Sequence, residues 1–247
     1  MIATRTTPLS ALFARIKAEM VALGVWYSSP ADEAAMRMWL KTAWLDCGCN
    51  TDFAIFTQPA DKLSIQFSVR VATSGHRVNV YWGDGSTDSV APATESDTSL
   101  AKTYVTGALR PIIMLGRVTR FESVNTDGRT HFGGSITWLR SLTVLNWGGN
   151  NTGTGWGAVA ASATGLCYMY HGGLTVLDAA EVNAILAGFW ANRDAAKSRP
   201  DRYINIGKDT PTPNAAPTGQ GLADKAALQA YRSPNNTGPD VWTVITN

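Results

Sequence analysis

The step between apolar residues changes near residue 53 of this chain, and that change limits what it can fold into. In "PLSALFARIKAEMVALG", Leu9, Leu12, Phe13, Ile16, Met20 and Leu23 recur every three or four residues, the stripe of an amphipathic helix. From about residue 53 the step becomes two. "KLSIQFSVRV" sets Leu63, Ile65, Phe67, Val69 and Val71 on one side and Ser, Gln, Ser and Arg on the other, the pattern of a half-buried antiparallel strand. Helices are therefore followed by a sheet, and the fold class is α+β.

The helical part reads as two segments. Gly24 stops the first. The second opens at Ser29 as N-cap, with Pro30 at the first helical position and Asp32 and Glu33 in the first turn. Its apolar face is Met36, Trp39, Leu40, Ala43 and Trp44. Two such stripes are much apolar surface for one small domain to cover. Residues 1–50 are accordingly expected to be a helical anchor, docking on a neighbouring subunit through Phe13, Ile16, Met20, Trp39 and Trp44. The alternative is that both helices pack on the domain that follows.

Beyond the first strand, "SG" at 74–75 turns the chain and "HRVNVYWG" returns it. Strands are expected to start at Tyr104–Val105 and to cover "RPIIMLG" at 110–116. Short strands between Gly- and Asp-rich turns predict an immunoglobulin-like β-sandwich over 51–120. After residue 120, "SLTVLNW" (141–147), "SATGLCY" (162–168) and "GLTVLDA" (173–179) repeat apolar positions at offsets of 21 and then 11 residues. Only the first suits a leucine-rich repeat, so 121–247 is expected to be a degenerate, short α/β solenoid. Its end alternates strand and helix. "LTVLD" is read as a strand, and a helix follows with Asp178 as N-cap and Glu181 as capping-box partner. Strand "RYINIG", helix "LADKAALQAYR" and strand "WTVIT" complete it, which requires parallel pairing.

Composition narrows the function. Charged residues make up 16% of the 247, with net charge +2 and no basic block, so no nucleic-acid partner is expected. No run of about 18 apolar residues predicts a membrane span. Arg15, Lys17 and Glu19 interrupt the first twenty residues, so no cleavable leader is expected. Cys47, Cys49 and Cys167 are read as buried or free thiols, with an intermolecular disulfide as the sharper option. "GGNNTGTGWG" (148–157) lacks the Lys-Ser/Thr ending of a phosphate loop. His131 and His171 lie beside glycines in expected loops without a nucleophile elbow. No enzyme activity and no cofactor are expected.

"VYWGDGSTDS" (80–89) raises the sharpest local question. Asp84 between glycines can bond its own backbone in an Asx turn, and Gly85 supplies positive φ. A calcium loop would use Asp84, Asp88, Glu95 and Asp97, but their spacing is not the Asp-x-Asp of such loops. Trp82, Gly83, Asp84 and Gly85 are therefore read as a structural corner, with no metal.

"VNVYWGDGS", followed by "KTYVTG", resembles the polycystic-kidney-disease (PKD-like) immunoglobulin-type domain through Trp82, Gly83, Asp84, Gly85 and Tyr104. Lys102 and Thr103 stand where that family usually has a His. Downstream, "LTVLD", "NAAPTG" (214–219), a helix and "VWTVITN" resemble the C-terminal module of phage virion proteins and bacterial leucine-rich surface proteins. The resemblance covers roughly residues 60–247. It implies a non-enzymatic virion component (tail fibre, tail tip or capsid decoration), with other virion proteins and its own copies as partners. The alternative it implies is a bacterial-surface adhesin. For a host glycan or receptor, Trp147, Trp156 and Tyr170 near the Gly/Asn-rich loop are the candidate contacts.

Overall fold

The structure, a computed structural model, describes residues 8–27, 29–94, 96–123, 133–148, 152–195, 202–207, 212–231 and 242–247. Two helices open it, α1 (Pro8–Ala22) and α2 (Pro30–Asp46). The strands β1 (Phe53–Gln58), β2 (Ser64–Val71), β3 (Val78–Tyr81), β4 (Thr87–Val90), β5 (Thr98–Thr103), β6 (Arg110–Leu115), β7 (Val118–Ser123), β8 (Gly133–Trp138) and β9 (Val144–Trp147) follow. The rest alternates: α3 (Trp156–Ser162), β10 (Tyr168–His171), α4 (Ala179–Asn192), β11 (Tyr203–Asn205), α5 (Gln220–Ala230) and β12 (Thr243–Ile245).

The strands form two sheets, β4-β3-β6-β1-β8 and β12-β11-β10-β9-β7-β2-β5. The first is antiparallel throughout. The second is antiparallel from β5 to β7 and parallel from β7 to β12. Their inner faces meet in an aromatic core. Phe56 packs on Phe67 and Phe121, with ring centroids 5.1 and 5.4 Å apart, and Phe121 stacks on Trp147 at 5.8 Å. Beyond the edge of the first sheet, α3, α4 and α5 cover the same inner face of the second. Leu145, Met169, Ile204 and Val244 from the strands join Val159, Ile185, Leu186, Phe189 and Leu228 from the helices in one core. Helices α3 and α4 approach closely because Gly157 lies against Ala184 and Gly188 against Ala160, where a Cβ would fall 2.6 and 2.7 Å from its neighbour.

Four sequence expectations are corrected by this architecture. The boundary at 120/121 falls inside β7, the strand that joins the antiparallel and parallel halves, and one hydrophobic core runs from Ala54 to Val244. The offsets of 21 and 11 are also replaced, by 24 and 24 and then, toward the C-terminus, 35 and 40 residues between paired positions. Arg120 pairs with Val144 and Val144 with Tyr168, twenty-four residues each time. The first repeat strand thus lies at Val118–Ser123. "LTVLD" is not a strand: Leu177 donates its backbone N–H to Asn214 Oδ1 at 2.8 Å and accepts from the Ala215 N–H at 2.8 Å, so its polar groups are satisfied outside any ladder. The strand lies just before it, at Tyr168–His171. Finally, β5 ends before Tyr104, and Val105 is almost wholly exposed.

The N-terminal helices are part of this fold. β1 and β6 carry continuous apolar runs, "FAIF" and "IIML", because both faces of the first sheet are covered. Phe53, Ile55, Tyr81, Ile113 and Leu115 point away from the second sheet and are buried under Leu12, Phe13, Ile16, Met20, Met36, Leu40 and Ala43. Polar contacts fix the placement. Trp138 Nε1 donates to Glu19 at 2.9 Å, Arg77 pairs with Asp46 at 3.0 Å, and Asn79 Nδ2 donates to the Ala43 carbonyl at 3.4 Å.

Candidate functional site

The WGDG stretch is a corner built from local bonds. Asp84 Oδ1 accepts from the Ser86 N–H at 2.9 Å, the Asx-turn bond. Asp84 Oδ2 lies 3.2 Å from Lys102 Nζ. Burial opposes the Asp84 charge, but the Ser86 hydroxyl and N–H, together with Lys102, outweigh it and hold the pKa below the usual carboxylate range. Gly83 and Gly85 have φ of +75° and +86°. A Cβ on Gly83 would fall 2.4 Å from the Pro111 carbonyl oxygen, whereas one on Gly85 meets nothing. Trp82 is buried, and its Nε1 donates to Asp88 Oδ2 at 2.8 Å. Asp97 faces Arg70 and Arg120. Three of the four carboxylates weighed for calcium are thus bonded to protein donors, and Glu95 lies outside the described residues.

The residues expected to dock on a partner are placed otherwise. Phe13, Ile16 and Met20 belong to the chain's own core, Trp39 packs on Tyr81 at 5.4 Å, and Trp44 packs against the same cluster. The physical reason is the first sheet's second apolar face, which needs a cover, and the signal for it was the unbroken runs in β1 and β6. Trp147 and Trp156 are 0% and 1% exposed and meet edge to face at 5.0 Å, so neither can contact a glycan. His171 is buried, 4.6 Å from the Trp156 ring. His131 lies outside the described residues. The cysteines form no disulfide; Cys47 is half-buried, and burial pushes its thiol up to about 11. Tyr170 alone of the expected contacts lies on an accessible surface.

That surface is the outer face of the seven-stranded sheet. Exposure alternates along β2, β9, β10, β11 and β12, and along β7 from Arg120 onward. One face is core; the other is half-buried or exposed, and among the described residues no helix or sheet packs on it. Parallel strands are usually covered on both faces, yet α3–α5 pack on the inner side and α1–α2 on the other sheet. The register arranges the open side chains in rows. Arg70, Arg120, Val144, Tyr168, Tyr203 and Thr243 form one; Ser68, Glu122, Asn146, Tyr170, Asn205 and Ile245 form the next.

The rows have a charged and an aromatic section. Arg70 grips Asp97 through bonds of 2.6 and 3.0 Å, and Arg120 reaches Asp97 at 3.2 Å and Glu122 at 2.6 Å. Beside this network, Tyr168 and Tyr203 stack with centroids 5.1 Å apart and planes 24° apart. Burial, then Tyr203, pushes the Tyr168 hydroxyl up, so it remains a neutral donor. Asn205 Nδ2 donates to the Tyr203 hydroxyl at 3.0 Å. The carbonyl oxygens Asn146 Oδ1 and Asn205 Oδ1 are buried and accept no bond among the described residues. Such a face can stack apolar ring surfaces and exchange hydrogen bonds. Sequence reasoning missed Asn146, Tyr168, Tyr203 and Asn205. The alternation in "VLNW" and "YMYH", aligned at twenty-four residues, and again in "YIN" thirty-five residues after "YMYH", is the signal that finds most of them.

Among the described residues no group of three or more His, Cys, Asp or Glu could hold a metal ion, and no helix is long and apolar enough to cross a membrane. Comparisons with family models, curated proteins and solved structures return no match to this chain.

Proposed function

We propose that the protein is a non-enzymatic structural component of a phage particle, surface-exposed in a tail fibre, tail tip or capsid decoration. In this reading a PKD-like sandwich runs into a short leucine-rich-type parallel module, and partners meet the open face of the shared sheet. The observation that carries it is that face, a ladder of half-buried Tyr, Asn, Arg and Glu side chains on which no other element packs among the described residues. The module order in the sequence supports the particle assignment. The twenty-four-residue spacing of β7, β9 and β10 supports the repeat reading, since a leucine-rich turn contributes one short strand per twenty-odd residues.

The same tyrosines and asparagines favour a second reading, an adhesin of a bacterial surface that binds a glycan or receptor. Immunogold microscopy with an antiserum to the full chain separates the two. Labelling of purified particles supports the first reading, and labelling confined to the cell envelope supports the second. Labelling of neither refutes both.

A further inference from the structure

A cleft of about 510 Å³ opens where the α1–α2 connection, the first turn of α2, the WGDG corner and the β5–β6 connection converge. Its wall holds three aromatic side chains in sequence. Trp26 and Tyr27 lie 5.8 Å apart, and Tyr27 meets Tyr81 edge to face at 6.4 Å. Two carboxylates, Asp32 and Asp84, line the same cleft.

Their surroundings leave one of the two without a counter-ion. The basic side chains around the cleft, Arg110 of its own lining among them, already have partners. Lys17 sits over the Trp26 ring and Arg37 pairs with Glu33 at 2.7 Å. Lys102 pairs with Asp84 at 3.2 Å, and Arg110 lies over the Tyr104 ring while donating to the Thr106 carbonyl at 2.8 Å. Asp32 has no ion-pair partner among the described residues. Burial, and after it the charges of Asp32 and Asp84, raises the Tyr81 pKa, so both carboxylates act on one ring hydroxyl. Aromatic rings beside an unneutralised carboxylate attract an organic cation through the ring quadrupole and the charge together.

We infer that this cleft binds an alkylammonium group, held by Asp32 and the rings of Tyr27 and Tyr81, Trp26 being covered already by the Lys17 ammonium. The group can belong to a free small molecule or to a lysine side chain of a partner. The site is independent of the open sheet face, so it stands or falls apart from the particle assignment.

The test is a calorimetric or saturation-transfer NMR titration of the full chain. The probes are choline, its uncharged isostere 3,3-dimethylbutan-1-ol, and Nα-acetyl-lysine methylamide. Saturable choline binding, with a Kd on the order of millimolar, and none by the isostere is the expected result. Tighter binding of the lysine derivative than of choline assigns the group to a partner's side chain, and the reverse order assigns it to a small molecule. Asp32→Asn weakens binding about two- to fivefold, as an exposed ion pair would. Ala35→Lys sets an internal ammonium three residues along α2 from Asp32 and abolishes it; melting curves confirm that both variants fold. Equal binding of choline and its isostere, an unchanged Kd in Asp32→Asn, or no binding of either cation overturns the inference.

Discussion

The Tyr104 hydroxyl donates a 2.8 Å hydrogen bond to the carbonyl oxygen of Trp82, and this bond closes the corner that the WGDG turn opens. The Trp82 N–H in turn donates to the Ser86 carbonyl at 3.0 Å. Tyr104→Phe leaves the buried Trp82 carbonyl unpaired and is expected to cost about 1–3 kcal/mol. Gly85→Val, which forces a β-branched residue to positive φ, is expected to cost about 1–3 kcal/mol as well. Gly83→Ala should cost more than Gly85→Ala, because only the former drives a Cβ into the Pro111 carbonyl. Urea melts of the four variants check the order, and equal costs for the two alanine variants would contradict it.

Removal of residues 1–51 is expected to yield an aggregating or unfolded product. It strips the cover from Phe53, Ile55, Tyr81, Ile113 and Leu115, and each large apolar side chain left exposed forfeits about 1.5–3 kcal/mol. The milder Leu40→Ala should cost about 2–5 kcal/mol in the full chain. Size-exclusion chromatography and thermal melts read both. A soluble, cooperatively melting product starting at Asp52 would refute the role given to the helices.

Asp97 predicts an acid-sensitive contribution to stability. Arg70 above all, with Arg120, holds its carboxyl below the usual range against the opposing effect of burial. The unfolded chain lacks these partners and so takes up the proton at higher pH. The stabilisation is complete above the unfolded carboxylate range and is lost as pH falls through the lower folded value. Asp97→Asn should lower the Tm at pH 7 and lose less than the parent between pH 5 and 2.5. Asp52 acts in the other sense. Burial raises its pKa despite the bond from the Ser141 N–H, so its ionisation reduces stability as pH rises.

Asn214 braces the end of the parallel half. Its Oδ1 accepts from the Leu177 N–H at 2.8 Å and its Nδ2 donates to the Ile206 carbonyl at 2.7 Å. Asn214→Ala orphans both buried groups and is expected to cost about 1–3 kcal/mol for each. Asn214→Asp keeps the acceptor, loses the donor and should fall between the two. Denaturant midpoints give the ranking.

The paired substitution Tyr168→Ala/Tyr203→Ala tests the open face. These rings are only half-buried, and the double variant should lose no more than about 1–2 kcal/mol of stability, mainly the stacking term and some ring burial. Incorporation into particles, or retention on the cell envelope, is expected to fall sharply. Normal incorporation of a folded double variant would show that partners bind elsewhere.

The sequence by itself determined what depends on near neighbours in the chain. Ser29 caps α2 through the Ala31 N–H, Asp178 caps α4 through the Glu181 N–H, and Asp84 bonds Ser86, all as local chemistry dictates. The alternation of β2 announced one wet face and one core face. Tertiary structure decided what depends on residues far apart. The Glu181 carboxylate, expected to accept the N–H of its own cap, accepts the Gly157 N–H of α3 at 2.9 Å. Phe121, Leu145 and Met169 align at twenty-four residues only because their strands pair. The apolar stripes of α1 and α2 were legible, but a stripe specifies burial without naming what buries it. Hydrophobic burial is non-directional, so Phe13, Ile16 and Met20 fit a partner or the chain's own sheet equally well until β1 and β6 are brought side by side beneath them.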